Sequence, residues 1–137
     1  MSGEQELYWK RNSTKSEGLT IAVVGPRTIK GRNAVLGLLE RVNRHKSIAA
    51  LVHGGTPGPE LFAAQWAAEK GLRVACCAAD WVTHQELGAV ERNRRMIEHY
   101  QPDGVIVFSG AVFGDDLAAR AGAAKIPVMR PAFPQGA

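Results

Sequence analysis

Five short apolar runs, each followed by a glycine-containing turn and an amphipathic stretch, restrict what this chain can fold into. The runs are LTIAVV (19–24), IAALV (48–52), RVACC (73–77), GVIVF (104–108) and IPVM (126–129). Each is near-continuously apolar rather than alternating, the pattern of strands covered by helices on both faces. Helical spacing links Ala34, Val35, Leu38, Leu39 and Val42 in one stripe, and Leu61, Ala64 and Ala68 in the next. Asn93, Ile97 and Tyr100, then Leu117, Ala121 and Ala124, repeat the pattern. Strand alternating with helix predicts an α/β fold: a single doubly wound parallel sheet of about five strands, with four main helices divided between its faces.

A length of 137 residues fits one domain. We read residues 1–18 as a flexible polar tail in which Tyr8 and Trp9 anchor locally or at a partner. The domain then covers 19–130, and a C-terminal tail covers 131–137, where Pro131 and Pro134 stop strand or helix. No 18-residue apolar run offers a membrane span, and residues 1–18 lack the apolar core of a secretory signal. Cys76 and Cys77 are adjacent, so they make neither a disulfide scaffold nor a metal-ligand pattern. A cytoplasmic setting with no metal and no cofactor is the expectation. The net charge of +4 tolerates an anionic partner without demanding one. An aromatic content of 7% is thin for a platform that stacks single-stranded bases.

Ligands of an open parallel sheet bind beyond the carboxyl ends of its strands, and the unusual residues of this chain fall there. Gly25 and Arg27 follow the first run; a turn and a guanidinium fork suit a phosphate, or else Arg27 is a solvated loop residue. After the second run, His53-Gly54-Gly55-Thr56-Pro57-Gly58-Pro59-Glu60 leads into a helix. Its glycines permit close backbone approach, and the helix start favours an anion. The Gly-Lys-Ser/Thr ending of a P-loop is absent. His53 is read first as a hydrogen-bonded turn histidine and second as a catalytic base. Asp80 sits where a carboxylate receives ribose hydroxyls, and Trp81 either stacks on a base or covers the core edge. In ERNRRM (91–96), helical spacing directs Arg92 and Met96 to one face, with Arg94 and Arg95 diverging toward solvent. Ser109 and Gly110 turn the chain after the fourth run. Asp115 suits helix capping, and Asp116 is a candidate general acid or base.

Taken together, Gly25-Pro26-Arg27, HGGTPGPE, ADW (79–81), ERNRRM and VIVFSG (105–110) resemble the SLOG superfamily, specifically its small YspA-like group, over nearly all of residues 19–130. The resemblance implies a Rossmann-like fold that binds a nucleotide or nucleotide-derived ligand. Related branches are the LOG phosphoribohydrolases and the DNA-processing protein DprA. It also implies association of the chain into a homodimer or higher oligomer, and a substrate contact for Arg92, with Asn93 beside it. LOG-type enzymes carry Pro-Gly-Gly-x-Gly-Thr-x-x-Glu after strand four. This chain has Ser109-Gly110-Ala111-Val112-Phe113-Gly114-Asp115-Asp116-Leu117 there, so Phe113 obstructs and Leu117 removes the carboxylate. Where the family usually places an aspartate, this chain has Glu60.

Three functions follow as expectations. The first is nucleotide-like ligand binding through Gly25, Arg27, His53, Gly54, Gly55, Thr56, Gly58, Asp80, Trp81, Arg92, Asn93, Ser109 and Gly110. In it, Gly54, Gly55 and Thr56 offer backbone donors. The second is N-glycosidic hydrolysis of a nucleoside monophosphate, with Asp116 and Glu60 as tentative catalytic residues. The third is single-stranded DNA binding of the DprA kind.

Overall fold

The first apolar run forms strand β1 (Leu19–Val24), where Ile21 and Val23 are buried against one face and Ala22 and Val24 against the other. The computed structural model describes residues 18–133. After β1 come α1 (Arg32–His45), β2 (Ile48–His53), α2 (Pro59–Glu69) and β3 (Arg73–Cys76). A single helical turn, α3 (Trp81–His84), runs through a 3-10 turn into α4 (Gly88–Glu98). Then follow β4 (Gly104–Val107), α5 (Gly114–Ala123) and β5 (Val128–Met129). The strands lie in the order β3-β2-β1-β4-β5, with every adjacent pair parallel. This is the Rossmann-like doubly wound sheet, and its winding reverses between β1 and β4.

The two cores explain the near-continuous apolarity of the central runs. Val35, Leu38 and Leu39 of α1 and Ala63, Trp66 and Ala67 of α2 pack with Ile21, Val23, Leu51 and Phe108. Met96 and Ile97 of α4 and Leu117 and Ala121 of α5 pack with Ala22, Val24, Val52 and Val107 on the opposite face.

Three expectations need correcting. Burial of β3 alternates only between exposed and intermediate, because it is an edge strand; Val74 and Cys76 are exposed, and only Cys77, just past the strand, is core. The loop from Trp81 to Gly88 contains helical turns. The buried stripe of α2 is Pro59, Glu60, Ala63, Trp66 and Ala67, offset by one from Leu61, Ala64 and Ala68. An acid occupies a core position there because its partners lie inside, as described below.

Both α2 and α5 stop in the same way. The Leu72 N–H donates to Ala67 C=O (2.9 Å) and the Gly71 N–H to Ala68 C=O (3.0 Å); Ile126 and Lys125 repeat this on Ala121 and Gly122. These are paired bonds of the Schellman type, which capture the last helical carbonyls. Further on, Phe133 packs edge-on against Phe108 at 5.1 Å, and the Ser109 hydroxyl donates to Phe133 C=O at 3.1 Å. Residues 131–133 therefore lie against the end of β4. The expected tail at 1–18, with Tyr8 and Trp9, lies outside the described residues apart from Gly18, as does 134–137.

Candidate functional site

The loops that follow β1 and β2 lead to helices on one face of the sheet; those that follow β3 and β4 lead to the other. They part at the carboxyl edge around a cleft of about 570 Å³. One wall is Pro26, Arg27, Thr28, Thr56 and Pro57; the other is Ala78, Ala79, Trp81, Ala89, Ala111 and Val112. Val24, Gly25, Gly54, Gly55, Cys76, Glu60 and Arg92 complete the lining.

Glu60 organises the floor. It is 2% exposed, the second residue of α2, and its carboxylate accepts from the Gly25 N–H (3.0 Å, Oε2) and the Thr56 N–H (2.8 Å, Oε1). Burial pushes its carboxyl above the ordinary value; the N–H donors of Gly25, Thr56 and Gly54 and the charge of Arg92 oppose that rise. Backbone donors expected to cradle a phosphate are thus occupied by the chain's own carboxylate, which ties the first loop to the second.

His53 takes another of these donors. The Gly55 N–H donates to His53 Nδ1 at 3.0 Å, so the histidine is part of the turn with Nδ1 unprotonated, and burial holds its imidazole below the usual value. The unfolded chain binds this proton more readily than the fold does. The stability tied to neutral His53 is therefore present above the ordinary imidazole range and lost as pH falls through that range toward the depressed value. We expect the urea midpoint to decline between pH 7.5 and 5.5, and His53→Asn, which keeps an acceptor but does not titrate, to flatten that decline. Equal slopes in the two proteins would count against the assignment.

Arg92 enters from α4 and is 5% exposed. Its Nε donates to Asn93 Oδ1 at 3.0 Å. Nη1 and Glu60 Oε1 crowd Gly54 so closely that a Cβ there would collide with Nη1 and lie 2.9 Å from Oε1. The Arg92 charge also acts on the Glu60 carboxylate, and the residue lines the cleft. Arg94 and Arg95, by contrast, pair with Glu91. Asn93 is fully buried and acts as a brace: its Nδ2 donates to Phe113 C=O (3.0 Å) and Asp116 Oδ2 (3.1 Å).

Asp116, Asp80, Ser109, Gly110 and Gly58 do not line this cleft. Asp116 accepts from Arg120 Nε at 2.8 Å and lines a neighbouring hollow of about 370 Å³ with Gly110, Asp115 and Arg130. Asp80 caps α3, accepting the Thr83 N–H at 3.0 Å, which holds its carboxyl below the usual range. Ser109 holds Phe133. Gly58, at φ +105°, supports the cleft from behind, since a Cβ there would lie 2.8 Å from Pro26 O. Trp81 lines the cleft at 53% exposure. Sequence reasoning missed Thr28, Cys76, Ala111 and Val112, whose one signal is their position just past or at strand ends. Among the described residues no His, Cys, Asp and Glu group could hold a metal ion, and no helix is long and apolar enough to cross a membrane.

The family described as the YspA, cpYpsA-related SLOG family matches the chain over residues 19–84. No curated protein and no solved structure matches it.

Proposed function

Over residues 19–84 the chain belongs to the YspA, cpYpsA-related SLOG family, and from that premise we propose that its cleft binds a nucleotide or nucleotide-derived anion. The observation that carries this reading is the Arg92 guanidinium: it is 5% exposed, braced at Nε by Asn93, and lines the cleft beside Gly54 and Glu60. Glu60 is the one buried carboxylate facing that charge among the described residues and is itself engaged by backbone donors, and a planar fork suits phosphate oxygens. Because Glu60 and His53 already engage the Gly25, Gly55 and Thr56 N–H groups, the anion rests on Arg92, with Arg27 at the rim. Trp81 supplies an apolar face on the opposite wall for a base.

Calorimetric titration with AMP, ADP-ribose and NAD tests the proposal. Arg92→Ala should weaken whichever ligand binds by about 1.5–3 kcal/mol, the scale of a charge-assisted hydrogen bond. Arg92→Lys should recover only part of that loss, since it keeps the charge and loses the fork. Silence across the three nucleotides would sink the reading. Hydrolysis of a glycosidic bond has less support: both Glu60 oxygens are hydrogen-bonded and Asp116 faces the other hollow.

A further inference from the structure

We propose, resting on the reading above, that Asp116 is a positioning residue for the anion site: it fixes the sense of the Asn93 amide, which sets the plane of the Arg92 guanidinium. An amide side chain has two unlike ends. Its oxygen only accepts and its nitrogen only donates, so a half-turn exchanges the two. Arg92 Nε can only donate, and it meets Asn93 Oδ1 at 3.0 Å. Asn93 is fully buried, so its Nδ2 must find acceptors on the far side. It finds two, Phe113 C=O at 3.0 Å and Asp116 Oδ2 at 3.1 Å. A reversed amide would set its oxygen against a carbonyl and a carboxylate, and its N–H groups against Arg92 Nε. One orientation survives.

Both acceptors are themselves held in place. Arg120, one turn further along α5, donates from Nε to the same Asp116 Oδ2 at 2.8 Å. Phe113 stands at the head of that helix with φ +54°, a left-handed backbone that is uncommon for a bulky residue. Its C=O accepts from both the Leu117 N–H (3.2 Å) and Asn93. Neither Asp116 nor Phe113 lines the cleft; both line the neighbouring hollow. Arg92 does line the cleft, with Nη1 against Gly54. A guanidinium is planar, so holding Nε at one point and Nη1 at another sets its plane. The run from Arg120 through Asp116 and Asn93 to Arg92 thus joins α5 to the cleft by way of α4.

Two measurements on the full chain test this role, and the first needs no ligand. The Arg92 Nε–H is buried and hydrogen-bonded, so it should exchange slowly with water and give its own proton–nitrogen NMR signal. Asp116→Ala should speed that exchange roughly tenfold, the equivalent of one lost hydrogen bond. Asp116→Asn, whose amide oxygen still accepts from Asn93 and Arg120, should stay within about threefold of wild type. The second measurement is calorimetric titration, read with the tightest binder of AMP, ADP-ribose and NAD. Asp116→Ala should weaken it roughly fivefold to twentyfold, and Asp116→Asn by less than about threefold. In an Arg92→Lys background, which has no Nε–H for Asn93 to hold, Asp116→Ala should weaken it by less than about twofold more. The Asp116 side chain is 31% exposed, and thermal melts check that Asp116→Ala folds; if it does not, Asp116→Ser carries the same comparison. Unchanged Nε–H exchange, or an equal loss of affinity in the wild-type and Arg92→Lys backgrounds, overturns the positioning role and leaves the nucleotide reading standing. Faster exchange with silence toward all three nucleotides upholds the positioning of Arg92 and overturns the nucleotide reading.

Discussion

Alanine at position 60 is expected to lower the unfolding free energy by about 2–5 kcal/mol, because it strips the acceptor from the N–H groups of Gly25 and Thr56 at about 1–3 kcal/mol each. It also leaves the Arg92 charge without its buried counterpart. A domain of this kind has only about 5–15 kcal/mol in total, so a large fraction would be gone. Glu60→Gln should fall between, keeping one acceptor oxygen while turning an amide N–H toward a donor. The pH dependence gives a second readout. Burial holds the Glu60 carboxyl above its ordinary value, so the fold binds that proton more tightly than the unfolded chain. This contribution is full below the ordinary carboxylate range and lost as pH rises through the raised value. The penalty of Glu60→Gln, measured by urea denaturation, should accordingly be largest in acid and shrink as pH rises. A pH-independent penalty would show that the carboxylate is not buried in this way.

Gly54→Ala is expected to weaken nucleotide binding by roughly 10- to 100-fold, the range of one to two lost charge-assisted contacts. The new Cβ would occupy the place of Arg92 Nη1 and press on Glu60 Oε1. Both are ends of flexible side chains, so the fold yields by moving the guanidinium out of the cleft. The stability loss should stay near 1 kcal/mol, within the common range for single substitutions. Calorimetry together with a thermal melt separates the two effects. Intact affinity in Gly54→Ala would mean that Arg92 Nη1 plays no part in binding.

The fold was legible because its signal is local. Apolar runs such as LTIAVV and VIVF lie against helices on both faces and so cannot alternate, whereas edge strand β3, RVAC, is half open although its run reads like a covered strand. Helical spacing also separates Arg92 from Arg94 and Arg95, the same division found in the structure. The chemistry of the glycine loop was not legible. Its backbone donors meet acceptors supplied by the chain itself, and the bond from Gly25 to Glu60 joins positions 35 residues apart. Likewise Asn93 meets Asp116 across 23 residues, a contact that no spacing rule reaches. Asp80 shows a local signal of another kind: Asp80-Trp81-Val82-Thr83 carries a capping pattern, and the Asp80 carboxylate accepts the Thr83 N–H.

The two walls of the cleft come from separate stretches of the polypeptide, residues 26–57 and 78–112, and Arg92 of the second lies against Gly54 of the first. Such an arrangement lets a lineage exchange one flank without rebuilding its counterpart. What the cleft recognises can then change by piecemeal replacement of a connecting segment, with the contact of Arg92 and Gly54 left in place.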